Sequence, residues 1–382
     1  MEFMVENHMR RRIAAVLFVM MLAVTAIIVI PVGDDSSASG FTVKDGRGTE
    51  VQFDDVASHV VTSGVGTSAT VVQIGQLDKI VVCDNYSYNS TEEVLKDLKK
   101  AVDDKKIKAN GNVYASGLAA FKTDVVDAAD TAKGGTFDKE KDVLILTASK
   151  ANNDSLKTYF EGLGFKKILL WDSITEYGQI IEFAKTVSTV LTGKVTNDVK
   201  SMELVKDTIK DKLESEKITD DKKTKALYVR LSSGNYTIGN TGSLATSMME
   251  AAGAKNIGYD SGKSGTTYGV EASAFTEFRE NNGTDKIIVF LDANVTEEKS
   301  NQIKTLMGEN TTLVPLKSLW NNYSIDSKDG VWTMACATYP NLFEGDVPEV
   351  KDPDNNNMLY IALGGAAVVV VLILAFFLIK RH

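Results

Sequence analysis

Recognition chemistry in this sequence concentrates where short apolar runs end in aromatic and polar residues. Asn85-Tyr86-Ser87-Tyr88 follows one such run, Tyr114 lies in the glycine-flanked stretch 111–117, and Trp171 ends another. Farther along come Arg230-Leu231-Ser232-Ser233-Gly234-Asn235-Tyr236 and then Trp320-Asn321-Asn322-Tyr323. Aromatic rings supply contact area at low entropic cost, and a guanidinium grips a carboxylate through two hydrogen bonds. Tyr86, Tyr88, Tyr114, Trp171, Tyr236, Trp320, Tyr323 and Arg230 therefore suit a large, partly apolar, anionic small molecule. Between the two terminal apolar runs, arginine occurs only at Arg47, Arg230 and Arg279.

Signals for catalysis are weaker. Gly64-Val65-Gly66-Thr67-Ser68-Ala69 follows an apolar β-type run and precedes a helical pattern, with Asp84 at the end of the next run. That spacing fits a dinucleotide fingerprint, in which glycines admit a pyrophosphate to a helix N-terminus and the acid holds a ribose hydroxyl. It also fits a glycine-permitted turn whose amides face a cleft. The exported location argued below favours the turn, because nicotinamide cofactors are not available outside a cell. Gly258-Tyr259-Asp260-Ser261-Gly262-Lys263-Ser264 is one residue short of a phosphate loop and lacks its flanking strand and helix. Of the histidines His8, His59 and His382, only His59 lies between the terminal runs, so no multi-imidazole metal site is expected, and His59 reads as structural. Carboxylates sit mostly in charged helical runs such as 203–216, which read as solvated faces. Nothing argues for an enzyme or for a resident cofactor.

The elements that must position these residues follow from hydrophobic period. Segments 41–44 and 50–53 alternate around Asp45-Gly46-Arg47-Gly48, a hairpin signal. Short β-branched runs at 59–62, 79–83, 142–147 and 167–171 then alternate with helical patterns at 68–77, 91–102 and 153–163, which implies parallel sheets covered by helices. From 174 to about 216 apolar residues recur at three and four with Gly193 as the breaker midway, predicting one long helix or two collinear ones. Alternation then resumes at 225–231, 243–252, 286–291, 296–307, 312–315 and 331–337. The expected class is α/β: two Rossmann-like lobes, 40–172 and 218–343, joined by a long rigid helix at 173–217. Such a layout places strand-end loops around an interlobe cleft, where open α/β sheets bind ligands.

The chain has 382 residues, a formal net charge of −9 and two strongly apolar terminal runs. Arg10-Arg11-Arg12 precedes an apolar run from Ile13 to Ile30, so residues 1–39 read as a signal peptide or an N-terminal anchor. Leu359 to Ile379 carries no charge and at about 1.5 Å per residue spans roughly the hydrocarbon thickness of a bilayer, predicting a transmembrane helix at 358–379 with a short tail at 380–382. Lys380, Arg381 and the N-terminal arginines then face the cytoplasm, leaving the region between them outside the cell. The protein is expected in the cell membrane, single-pass, or two-pass if the first run is retained. Residues 344–357, rich in Pro, Asp and Asn, read as a flexible tether. Residues 40–357 carry a net charge of −10, which repels phosphate backbones and makes nucleic acid an unsuitable partner. An oxidising exterior permits a disulfide between Cys83 and Cys336, and eight Asn-x-Ser/Thr sequons, among them Asn153, suit an exported chain.

With these features in place, residues 41–343 resemble the extracytoplasmic substrate-binding proteins of ABC importers for iron chelates, haem and corrinoids. The resemblance is carried by FTVKDGRGTEVQF, by HVVTSGVGTSATVVQIGQLDKIVVCDNYS, by VSTVLTGKVTNDVKSMELV, by ALYVRLSSGNYTIGNTGSLATSMMEAAGAKNIG and by YPNLF, in that order. It implies two lobes joined by a rigid helix, small lobe motion, capture of a ferric siderophore, haem or corrinoid between the lobes, and docking on an ABC permease. The family's docking glutamate in the helix after the first strand aligns with Ala69, leaving Glu250 as half of the usual pair. Residues 96–110 are more charged than the family implies and read as a surface insertion. The alternatives are a surface adhesion or sensor protein with this fold and no transport role, and a nucleotide-dependent oxidoreductase using the turn 64–69.

Overall fold

The computed structural model describes residues 40–114 and 116–351. The chain opens with a hairpin, β1 (Phe41–Lys44) and β2 (Glu50–Phe53), followed by β3 (Val60–Thr62), α1 (Val65–Gln73), β4 (Ile80–Val82), α2 (Asn85–Tyr88), α3 (Lys96–Asp103) and α4 (Leu118–Ala128). β5 (Val143–Thr147), α5 (Lys150–Gly162) and β6 (Lys167–Trp171) complete the first lobe, and α6 (Tyr177–Thr192) and α7 (Asn197–Ser215) follow it. The second lobe contains β7 (Lys225–Ser232), β8 (Asn235–Gly239), α8 (Leu244–Ala251), β9 (Lys255–Asn256), β10 (Thr267–Val270), α9 (Ala274–Asn282), β11 (Ile287–Leu291), α10 (Glu297–Met307), β12 (Thr311–Pro315) and α11 (Ser327–Thr338).

The first lobe holds a parallel sheet in the order β4-β3-β5-β6. Its strands are buried on both faces, which is why they read as unbroken apolar runs. Along β5 the pleat sends Val143 and Ile145 to one core and Leu144 and Leu146 to another. The second lobe departs from the expected all-parallel sheet. Its order is β10-β8-β7-β11-β12, with β7, β11 and β12 parallel but β8 and β10 antiparallel. The tight turn at Ser233 (φ 49°) and Gly234 (φ 80°) sends β8 straight back along β7, and a return that short cannot make a parallel crossover.

The connection between lobes also differs from the expected single or collinear helix. Gly193 takes a left-handed conformation (φ 74°) that caps α6, and the chain folds back so that Lys185 pairs with Glu203 and the Tyr177 hydroxyl donates to the carbonyl of Met202 at 3.2 Å. The helix α6 packs on α1 and β1 of the first lobe and on α8 of the second, whereas α7 lies on α8 and α11. One apolar cluster runs through the junction, from Val60 and Ile145 through Phe183 and Val187 to Tyr228, Phe290 and Met334. Two lobes sharing a core are coupled by burial, which opposes large relative motion.

Three further expectations are corrected. Residues 344–350 are not a free tether: Trp332 Nε1 donates to the carbonyl of Gly345 at 3.1 Å, Val347 joins the core, and the Val350 amide donates to Ser201 Oγ at 2.8 Å. The two thiols are free, with Cys83 fully buried, and burial pushes its pKa up. Asn153 is fully buried and its amide donates to the carbonyls of Ala148 and Trp171 and to Asp172 Oδ1, so it is no glycosylation site. Among the described residues no helix is long and apolar enough to cross a membrane. The signal peptide or anchor at 1–39 and the transmembrane helix at 358–379 lie outside the described residues.

Candidate ligand-binding site

The strand-end loops of both lobes converge on the segment 321–325. Midway along β7, the Tyr228 hydroxyl donates to Asp292 Oδ2, while Asn321 Nδ2 donates to the Tyr228 oxygen at 2.6 Å and to Asp292 Oδ2 at 3.3 Å. Burial, then the Asp292 charge, pushes the Tyr228 phenol up, so it stays protonated and remains a donor. Asn321 is thereby fixed, and the next residues run along α1 of the opposite lobe. The Tyr323 carbonyl accepts from Thr70 Oγ1 at 3.4 Å, and the Ile325 amide donates to Gln73 Oε1 at 3.0 Å.

Tyr323 itself enters the turn after β3. A Cβ at Gly66 would stand 2.6 Å from its ring and one at Gly64 would strike its hydroxyl, so both glycines are needed for the ring to lie against the backbone. Gly64 also has φ 88°, which excludes other residues for a second reason. The hydroxyl is 3.0 Å from Thr147 Oγ1, itself 3.2 Å from Thr67 Oγ1, and the ring meets Phe183 edge-on at 5.8 Å. Burial drives the phenol's pKa up, so it too stays neutral.

Beside this slot lies Asp84, fully buried at the end of β4. Its Oδ1 accepts from the Ser87 amide at 3.1 Å and from Ser87 Oγ at 2.5 Å. The relay continues through Ser68 Oγ, 2.9 Å from Ser87 Oγ, to Thr62 Oγ1 at 2.8 Å. Burial pushes the carboxyl up, opposed by the Ser87 bonds and by the Gly64 amide. Outside the slot, Tyr86 and Tyr114 are 50% and 47% exposed and pack edge to face at 5.7 Å. The loop carrying Tyr114 is held by Asn112, whose Oδ1 accepts from the Tyr114 amide at 2.8 Å and whose Nδ2 donates to Asn85 at 3.3 Å. An exposed pair of rings on a hydrogen-bonded loop is a preformed aromatic platform.

The sequence-selected residues separate into two groups. Tyr86, Tyr114 and Tyr323 come together around the turn at Gly64, joined by Asp84, which the sequence offered only as the acid of a dinucleotide fingerprint, and by Thr67 and Thr147, read from sequence only as turn and strand residues. Arg230 is exposed near the end of β7. Trp320 is half-buried, with Lys317 Nζ 5.1 Å above its ring. The others are elsewhere. Trp171 is 5% exposed, lies under Gly46 and meets Phe183 edge-on at 4.8 Å, so it is a core residue that seats the β1–β2 hairpin. Tyr236 is 3% exposed beneath α10, with its hydroxyl 2.7 Å from Gln302 Oε1; the antiparallel β8 carries it away from the strand ends. Tyr88 faces α3, donating to Asp103 Oδ1 at 2.8 Å under Lys99.

The docking expectation is corrected as well. Ala69 is fully buried, so its position could not present a docking glutamate. Glu250 is exposed beside a cavity of about 480 Å³ lined also by Lys223 and Lys255, at the end of the sheet where β7 begins and opposite Arg230. Partial burial pushes its carboxyl up, opposed by Lys223. His59 is structural, as expected: its Nδ1 is 2.8 Å from Asp142 Oδ2.

No protein-family model matches the sequence, and no curated protein sequence does. Solved structures match in fold. Helicobacter pylori CeuE with Ni(II) bound is 16% identical over 80% of this chain and 91% of that one, with a TM-score of 0.55. An ABC transporter solute binding protein from Sulfurospirillum deleyianum is 13% identical over 82% and 92%, at 0.57. The periplasmic catecholate-siderophore binding protein VctP of Vibrio cholerae is 15% identical over 79% and 100%, at 0.52. The chain thus has the two-lobed α/β fold of periplasmic binding proteins.

Proposed function

We propose that this protein is an extracytoplasmic solute-binding protein that captures a metal chelate or tetrapyrrole, such as a ferric siderophore, haem or corrinoid, and delivers it to an ABC permease. The observation that carries the reading is the exposed Tyr86–Tyr114 pair at the strand ends of a fold otherwise found in such proteins. Flat, conjugated or multi-ring ligands stack on such a platform, and Arg230, exposed and with no hydrogen bond or ion pair among the described residues, is available to a ligand carboxylate. The C-terminal apolar helix holds the domain at the bilayer, and docking of residues 344–350 on the fold shortens the leash to fewer than ten residues, which keeps the effective concentration near a permease high. Glu250 takes no part in this reading of permease docking, and no enzymatic step is assigned.

The test is thermal melting and tryptophan fluorescence of the full-length chain in detergent against ferric siderophores, haem, cobalamin and a nicotinamide control. A ligand at 100 times its dissociation constant adds about 2.7 kcal/mol. Binding of one chelate or tetrapyrrole supports transport. Tyr323 between the lobes favours a second reading, a surface adhesion or sensor protein that keeps the fold, and absence of any binding would move that reading ahead.

A further inference from the structure

We propose that Asp84, the first turn of α1 and the hydroxyls of Thr67 and Thr147 form a subsite for a hydroxyl group of the ligand, and that the phenol of Tyr323 occupies this subsite in the structure described here. The inference rests on the solute-binding reading and names the ligand chemistry one part of that site takes.

Asp84 is the first observation. As the cap of the four-residue α2 it needs one oxygen, and Oδ1 fills that role for Ser87. Serine or asparagine would cap as well. The second oxygen, Oδ2, is buried and has no hydrogen-bond partner, and a buried acceptor left unpaired is costly enough to call for an explanation. The carboxyl lies against the amide of Gly64, the residue that opens α1. This helix is the second observation: its N-cap, Gly64, has no side chain with which to cap the first-turn amides.

Tyr323 supplies the third. Its hydroxyl reaches Thr147 with the ring against Gly64 and Gly66, Asp84 is tied to the same helix α1 through Ser87 and Ser68, and Asn85, beside Tyr86, is tied to Asn112 on the Tyr114 loop. Slot, carboxyl and aromatic platform therefore adjoin. The Tyr323 hydroxyl, held by Thr147, leaves Oδ2 without a partner, whereas an untethered ring hydroxyl can accept from Thr67 or Thr147 and donate to that oxygen. A ligand bearing a hydroxylated ring competes with Tyr323 for the slot, so Tyr323 sets both access and preference.

The experiment uses the full-length chain in detergent, p-cresol as a copy of the tyrosine side chain, and 4-methylanisole as the analogue that cannot donate. Calorimetry should show Tyr323→Ala binding p-cresol at least about tenfold more tightly than wild type, since the internal competitor is gone. The same variant should prefer p-cresol to 4-methylanisole by about fivefold, the worth of one ordinary hydrogen bond. Adding Asp84→Asn should abolish that preference, because the amide donates to either oxygen. Tyr323→Leu, which keeps apolar packing on Phe183, should behave likewise if the alanine variant does not melt cooperatively. Equal binding of the two probes, or a preference that survives Asp84→Asn, overturns the subsite. A chelate that binds wild type while the probe preference is absent sinks the subsite alone; a subsite that behaves as stated in a chain that binds no chelate sinks the transport reading alone.

Discussion

Gly66→Ala tests whether the two lobes are coupled through Tyr323. Gly66 lies inside the first turn of α1 with ordinary helical backbone, so alanine by itself should gain up to about 1 kcal/mol of helix propensity. The new methyl, however, would stand 2.6 Å from Tyr323 Cδ2 and 2.8 Å from Asn322 Oδ1, roughly 1 Å inside normal contact. The ring cannot retreat freely, because Phe183 packs on it and its hydroxyl is held by Thr147. Overpacking of this kind costs about 1–3 kcal/mol, and breaking the Thr147 bond adds about 1 kcal/mol. The net loss is about 1–3 kcal/mol. For a fold of roughly 310 residues the unfolding entropy is about 0.65 kcal/mol/K, so the melting temperature should fall by about 2–5 °C. In a Tyr323→Ala background there is no ring to strike, and Gly66→Ala should become neutral or slightly stabilising. Differential scanning fluorimetry of the four proteins closes the cycle with a coupling of about 1–4 kcal/mol. Equal losses in both backgrounds would refute the wedge.

Asp142→Ala should cost about 3 kcal/mol in urea unfolding, because the buried carboxylate accepts from the amides of Ser58, His59 and Asp138, and each is left without a partner. Lys150 and then Arg47 hold Asp154 below the usual carboxylate range, and Arg47 holds Asp172 there against the upward pull of burial; the Arg47 share of that stabilisation is present above about pH 4 and is lost as pH falls through the depressed values, so the melting gap between wild type and Arg47→Gln should close in acid. Asp329 runs the other way. Burial raises its pKa, so its favourable contribution is lost as pH rises through the folded value, and Asp329→Asn should melt higher at neutral pH with the gain gone below about pH 4. Arg230→Ala should weaken binding of a carboxylate-bearing chelate about tenfold or more by titration, with the melting temperature of the free protein unchanged, since the side chain makes no hydrogen bond or ion pair.

Much of this architecture is legible from residue order alone, because period and punctuation are local. The unbroken apolar runs of β5 and β6 require burial on both faces, and the turn 64–69 requires glycine wherever it sits. Gly193 was visible as a breaker, but whether the helix continues or doubles back depends on what each half packs against, and contacts such as Lys185 with Glu203 are long-range. Local pattern also could not separate exposed rings from core rings. Tyr86 and Tyr236 both lie near strand-end loops in sequence, yet the antiparallel return of β8 buries one under α10 while the other stands free beside Tyr114. Asp84 was visible in the sequence as the acid of a dinucleotide spacing, but only burial shows that its second oxygen is left without a donor. The sequence alone determined most of the strands and helices, though not α4, β8, β10 or α9, and which residue types could bind, since propensity, periodicity and charge are properties of neighbours along the chain. Only the tertiary structure decided which of those residues meet, because meeting depends on sheet order, helix reversal and solvent exclusion, none of which is encoded within the reach of a single turn.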